Sequence, residues 1–489
     1  MELYRTAAQS KNLSARSAGP SMMRLAQGLW RGGVLACARL CESASRILQI
    51  GEQSSVNRRA GGCKPARMAY ALGMEPLVVR HIKPRVLAAL NDTRIVVVQG
   101  ARQVGKTTLL RDLVNQLDGV LESFDDPLTM LAAEEDPVGF LNRKPDRLLA
   151  IDEVQRVPQL ILALKYLVDR DPTPGRFLLT GSANLLRLPA IEDSLAGRTE
   201  SIEMHSFSQG EISGHTEQFL ARLLQGDTFV GHRSRLHRHD YLERAISGGY
   251  PEALRRTAGR RRDQWLDNYA NAIVRRDAQD VSNLQRVAEL PRILRMLAAR
   301  NGGELNLAGL SRDVEIPVRT LAPYLELVQT LYLVQLIPAW STNLTKRVVA
   351  RPKVALLDTG LASRLINVSA EGASPVMNPD VAGGLLEGFV AGEVRRQLAW
   401  SDESAQIGHF RDAVAGEVDL VLETPDGRVA GIEVKSKAAP GRSDSKGLAY
   451  LRDRLGRRFV GGVILHTGTT SAALGDRIAA VPMDVLWTT

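Results

Sequence analysis

The sequence predicts an α/β protein organised around a parallel sheet, and three features carry that prediction. A β-branched run at 95–98 leads into a glycine-rich turn and then into residues 107–117, where apolar side chains recur at helical spacing. A second fully apolar run, 148–151, ends in Asp152 and Glu153, and a third, 177–179, ends in Thr180, Gly181 and Ser182. Short strands without a polar face, alternating with helices, belong to a parallel sheet covered on both sides.

The turn after the first strand reads GARQVGKT over 100–107, the spacing of a P-loop. Gly100, Ala101, Arg102, Gln103, Val104 and Gly105 supply a backbone whose glycines let successive N–H groups turn inward as an anion nest at the positive end of the next helix. Lys106 then reaches the β and γ phosphates, the Thr107 hydroxyl ligates Mg²⁺, and Thr108 completes the motif. The expected ligand is Mg-ATP. Asp152 is placed to hold Mg²⁺ through a water, and Glu153, one position further on, to polarise the attacking water as general base. Thr180 and Ser182 follow the next strand, where a polar side chain senses the γ phosphate or positions water; an ordinary turn with a helix cap uses the same residue types. Arg198 is a candidate arginine finger, which supplied in trans requires a homo-oligomer; a plain surface arginine reads the same way.

A chain of 489 residues is long for one core, and at roughly 100–200 residues per domain it divides into three or four units. The longest apolar runs stop well short of the roughly 18 residues of a membrane span, so the expectation is a cytoplasmic protein with no membrane contact. The formal charge of +9 is local: residues 1–68 hold eleven Lys and Arg against three acids, and the other 421 residues are close to neutral. Cys37, Cys41 and Cys63 all lie in that segment, which leaves no cysteine for a disulfide or metal site in the rest. Rich in Arg and Ser, the segment has the look of a transit sequence, of a disordered basic tail, or of translated upstream sequence before a true start at Met68 or Met74.

Beyond about residue 211 the strand signal fades and 216–300 reads as mainly helical, with nine Arg against three acids between 231 and 262. Helical spacing continues at 290–299, 307–314 and 318–333, and three helices followed by an apolar strand-like run resemble a winged helix-turn-helix. Its second helix pair would present Arg319 and Thr320 to DNA, although 291–330 holds five Arg and four acids, a weak electrostatic footprint.

Near the C-terminus, EVDLVLE at 417–423 and GIEVK at 431–435 are alternating strands joined by a turn at Pro425, Asp426 and Gly427. Period two puts Glu417 and Asp419 on one face, and Glu433 and Lys435 on one face. A metal-dependent nuclease needs such a set: Asp419 and Glu433 to ligate Mg²⁺ or Mn²⁺, and Lys435 to orient water or stabilise charge developing at phosphate. A solvated amphipathic hairpin carries the same pattern.

The motifs QVGKTT at 103–108, DEVQ at 152–155, LTGSAN at 179–184, GGYPE at 248–252, Arg276 with Asp277, the 352–360 stretch ending in DTG, and EVD at 417–419 occur in the order seen in a large family of bacterial and archaeal AAA+ ATPases. The sequence resembles that family from about residue 75 to the end. The resemblance implies adenine rather than guanine specificity, an AAA+ core at 74–215, a helical lid and winged-helix region at 216–345, and a PD-(D/E)xK, restriction-endonuclease-like α/β domain at 346–489, after an extension at 1–73. It also implies that Glu387, matching the family's preceding acidic position, is the third carboxylate. Two functions are expected of such a chain. In one, the nucleotide state controls a nuclease-like half that handles DNA or RNA. In the other, an ATP switch binds a protein partner and the nuclease-like domain is inactive.

Overall fold

The computed structural model describes residues 78–181, 195–273, 287–343, 345, 347, 350–373 and 378–489. The N-terminal extension, Ser182 and the Arg276 and Asp277 pair lie outside them.

Five parallel strands, β1 (Ile95–Gln99), β2 (Val120–Ser123), β3 (Leu149–Asp152), β4 (Phe177–Gly181) and β5 (Thr199–Glu203), form the first sheet in the order β2-β3-β4-β1-β5. Alternate residues of β1 enter opposite cores. Val96 and Val98 pack with Leu109, Leu110 and Leu113 of the Lys106–Gln116 helix, and Ile95 and Val97 with Leu164 and Val168 of the Leu160–Arg170 helix. This two-sided burial is why β1, β3 and β4 carry no polar stripe. The edge strands β2 and β5, reading VLES and TESIE, are mostly half-buried.

The middle of the chain is helical, as its periodicity predicts. Leu290–Ala298, Leu307–Val314 and Val318–Thr330 precede β6 (Val334–Ile337), which pairs antiparallel with β7 (Lys353–Leu356). The β6–β7 pair straddles residue 345, where the sequence places a domain boundary. Most of the arginines in 231–262 are spent internally: Arg238 on Ser436 O, Arg244 on Gln209, Arg255 and Arg256 on Glu252, and Arg262 on Ser247. Arg260 and Arg261 remain exposed.

A helix of 22 residues, Pro379–Trp400, leads to a mixed sheet of β8 (Gln406–Asp412), β9 (Gly416–Glu423), β10 (Val429–Lys435), β11 (Phe459–His466), β12 (Ala472–Gly475) and β13 (Ile478–Pro482), ordered β12-β13-β11-β10-β9-β8. Strands β10, β11 and β13 are parallel, and β8–β9 and β9–β10 are antiparallel hairpins. The expected turn between β9 and β10 is present, with Gly427 at φ 87°.

One apolar cluster runs from β1 through the middle helices to β9, β10 and Trp487. Within it lies a buried polar knot centred on Asp358. Its carboxylate accepts from Ser206 Oγ at 2.9 Å, Gly249 N at 2.8 Å and Leu361 N at 3.1 Å, and Arg396 lies 3.9 Å away. The motifs GGYPE and DTG meet here: Gly248 sits at φ +64°, and a Cβ on it would fall 2.3 Å from Asp358 Oδ1. Removing a buried carboxylate strands the donors of Ser206, Gly249 and Leu361, a cost of about 3 kcal/mol. Asp358→Ala is therefore expected to lower the thermal midpoint by several degrees, and an unchanged melting curve would show that the knot does not hold the fold.

Candidate functional site

The loop after β1 is shaped by three left-handed residues, Gly100 (φ +156°), Gln103 (φ 62°) and Gly105 (φ 100°). Gly100 admits no side chain, because a Cβ there would meet Met204 O at 2.0 Å. Ala101 and Val104 anchor the loop in the core, and Thr108 faces outward on the helix. The loop carbonyls are braced from behind: Val104 O accepts from Arg80 Nη1 at 2.7 Å, and Arg102 O lies 3.1 Å from Tyr269 Oη. Lys106, 5% exposed, donates to Gly100 O and Ala101 O, each at 2.9 Å.

Strand β4 lies between β1 and β3, and its Thr180 closes the site. Thr107 Oγ1 donates to Asp152 Oδ2 at 2.7 Å, Thr180 Oγ1 donates to Asp152 Oδ1, and Glu153 N donates to Thr180 Oγ1 at 3.2 Å. Asp152 is buried at the end of β3, whereas Glu153 is half-buried in a left-handed conformation (φ 59°), its carboxylate held by Gln155 Nε2. A non-glycine residue at positive φ beside a charged site is strain of the kind kept where a side chain must be aimed. The hydroxyl of Thr107 and the carboxylate of Asp152 form a hard oxygen donor set that fits Mg²⁺. Arg198 precedes β5, at the sheet edge where the strands begin, and makes a bidentate pair with Asp169 at 2.6 and 2.9 Å. The P-loop leaves β1 at the opposite edge, so Arg198 does not join its own chain's nucleotide site.

A second cluster forms where β9 and β10 part. Their ladder ends at Ile432 and Leu420, and beyond it Val434 N donates to Asp419 Oδ2 at 2.8 Å instead of to a strand carbonyl. Glu417, Asp419 and Glu433 each bring a carboxylate oxygen within 4.8 Å of the others. Lys435 Nζ donates to Glu433 Oε1 at 2.5 Å, while the buried Glu433 Oε2 has no partner among the described residues. Glu417 joins Asp419 and Glu433, and Glu387 lies beside this set across Lys353, whose Nζ lies 3.3 Å from Glu387 and 2.6 Å from Asp419. Glu387 is carried by the Pro379–Trp400 helix and Lys353 by the start of β7. In the sequence Lys353 stands only within the 352–360 stretch; a lysine at the start of a strand carries no spacing signal of an ion pair 66 residues away. Burial and the neighbouring Asp419 push Glu433 up to about 9 and Glu387 to about 8. Burial works against the Lys353 ammonium, but Asp419 and Glu387 outweigh it and raise its pKa.

A P-loop, a strand-end acid bonded to its threonine, and a polar residue from the intervening strand define a P-loop nucleotide-binding domain. Residues 92–213 match the AAA domain family, a match that supports ATP binding by this segment. Residues 238–372 and 382–486 match two domains of unknown function, DUF8612 and DUF4143. Over 412 residues the chain is 29% identical to the uncharacterized proteins Mb2031c of Mycobacterium bovis and Rv2008c of Mycobacterium tuberculosis, covering 84% of this chain and 85% of each relative. Among solved structures it is similar to the Walker-type ATPase PABY2304 of Pyrococcus abyssi (17% identity, TM-score 0.39, covering 59% of this chain and 96% of that one). No helix among the described residues is long and apolar enough to cross a membrane.

The raised pKa of Glu433 has a consequence for stability. Above its ordinary value of 4.5 the unfolded chain releases a proton that the folded chain keeps until about 9, so this group's contribution falls as pH rises through that window. Glutamine does not titrate. In EDTA, Glu433→Gln is expected to gain a few degrees in melting temperature over wild type between pH 5 and pH 8.5, and a constant difference would mean that Glu433 is ionised throughout.

Proposed function

We propose that this is an ATP-hydrolysing protein whose nucleotide state controls a nuclease-like C-terminal half that handles DNA or RNA. The observation that carries the C-terminal reading is the convergence of Glu417, Asp419 and Glu433 beside Lys435, with a buried oxygen of Glu433 left without a partner among the described residues. A buried acceptor in that state fits a cation. In this reading these three carboxylates hold Mg²⁺ or Mn²⁺, which polarises a phosphodiester when bound. Lys435 is the side chain placed to orient water.

At the nucleotide site Lys106 binds the β and γ phosphates, Thr107 and Asp152 hold Mg²⁺, Glu153 takes the proton of the attacking water, and Thr180 aligns Asp152 with Glu153. Communication between the halves runs through the Pro379–Trp400 helix. Its Glu393 accepts from Gln209 N at 3.0 Å and its Arg396 donates to Ser206 O at 3.0 Å, close to Arg80 and the P-loop, while its Glu387 overlies Lys353. In the Val318–Thr330 helix, Val318, Arg319 and Thr320 are exposed and Leu321 and Tyr324 are buried. That face, in a winged-helix arrangement, is the one offered to nucleic acid.

A second reading, an ATP switch that binds a protein partner, is favoured by Lys353: its ammonium already neutralises Asp419 and Glu387, as a cation-free scaffold requires. Variants separate the two. Glu153→Gln is expected to retain ATP and to slow its hydrolysis by about 10²–10³-fold, and Asp419→Ala to hydrolyse ATP normally. Labelled single- and double-stranded DNA and RNA, offered with Mn²⁺ and with or without ATP, are expected to be cut by wild type and not by Asp419→Ala. ATP turnover without cleavage of any substrate would overturn the nuclease reading in favour of the switch.

A further inference from the structure

The C-terminal carboxylates receive a lysine from another part of the chain. Lys353 opens β7, which pairs with β6 after the middle helices rather than with the sheet that carries Asp419 and Glu433. Main-chain bonds fix its place: Gly302 N donates to Val354 O at 2.8 Å, and Val354 N to Gly303 O at 2.9 Å. The Lys353 side chain is 7% exposed, and its ammonium lies 2.6 Å from Asp419 Oδ1 and 3.3 Å from Glu387 Oε2. Buried carboxylates require a compensating cation. Here the chain supplies one of its own.

Asp419 does not serve this ammonium and a divalent ion equally well. Its Oδ2 accepts from Val434 N at 2.8 Å, a main-chain donor held in β10, so Oδ1 is the oxygen left for a cation, and Lys353 holds it. Mg²⁺ binds a carboxylate oxygen at roughly 2.1 Å. On Oδ1 such an ion would stand within about 5 Å of the ammonium, where like charges repel strongly once bulk water is excluded. Lys435 is different in kind, because it shares β10 with its partner Glu433 and so belongs to the cluster itself. The inference rests on the metal-binding reading of Glu417, Asp419 and Glu433 given above. We propose that Lys353 is a tethered counter-cation that takes the place of the divalent ion, so that the cluster binds metal tightly only when this ammonium withdraws.

The test titrates Mn²⁺ alone into the nucleotide-free full chain and follows the free ion by electron paramagnetic resonance. The component of binding lost in Asp419→Ala reports the cluster rather than the P-loop. Lys353→Met keeps a long apolar stem and deletes the charge; it should tighten this component about tenfold or more, the release of one charge-assisted contact being of that order. Lys353→Arg keeps the charge and should leave the affinity near that of wild type. Equal affinity in wild type and Lys353→Met would overturn the proposal while the metal site stands, and so would the same tightening in Lys353→Arg. Absence of Asp419-dependent Mn²⁺ binding in both wild type and Lys353→Met would remove the metal reading and this one together. Should the variants not fold, acetic anhydride labelling of wild type, read by peptide mass spectrometry, decides. Bound Mn²⁺ should raise the labelling of Lys353 severalfold, and unchanged labelling would overturn the displacement.

Discussion

The carboxylate of Asp358 is the constraint on which the arrangement of the chain depends. It takes donors from Ser206, just after the first sheet, from Gly249 in the middle region, and from the start of its own Thr359–Leu365 helix, while Arg396 of the long helix lies alongside. A buried charge is tolerated only when its hydrogen-bonding capacity is met. The three parts of the chain therefore have one relative placement in which this acid is satisfied. The glycines at 248 and 360 are part of the same condition, since their backbones approach too closely for a Cβ. Around this knot a continuous apolar core supplies the bulk of the stabilisation, and the knot selects the geometry.

A related economy operates at the nucleotide site. Both oxygens of Asp152 are engaged, one by Thr107 from the P-loop helix and one by Thr180 from β4, so two neighbouring strands and a helix are aligned by a single side chain. The P-loop is further fixed from behind by Arg80, its side chain 9% exposed, which ties Val104 O and His205 O to Glu211. Preorganised donors cost no rearrangement when a phosphate arrives.

Much of this was legible from residue order. The interior strands β1, β3 and β4 declare themselves because both faces are buried and their side chains are uniformly apolar. Strands β2 and β5 do not, because an edge strand that is only half covered mixes Glu, Ser and Thr with apolar residues. The P-loop was legible because its chemistry fixes residue types at fixed spacing, and the β9–β10 hairpin because period two sorts its carboxylates onto faces. That sorting sets Glu417 beside Asp419, whereas the place of Glu387 depends on how a distant helix docks. Lys353, Glu387 and Asp419 are assembled from segments far apart in the chain, and no local pattern announces such a meeting.

The Pro379–Trp400 helix joins these features. At 1.5 Å per residue a helix of that length is a rod of about 33 Å, and Glu387, Glu393, Arg395 and Arg396 are mounted along it at set intervals. One end is gripped beside the P-loop loops, the middle leans on Lys353, and Arg395 on one flank holds Glu203 of β5. A rod held at several points does not bend locally to suit one of them; it pivots. The distances at each contact are thus not independent quantities but readings of a single angle.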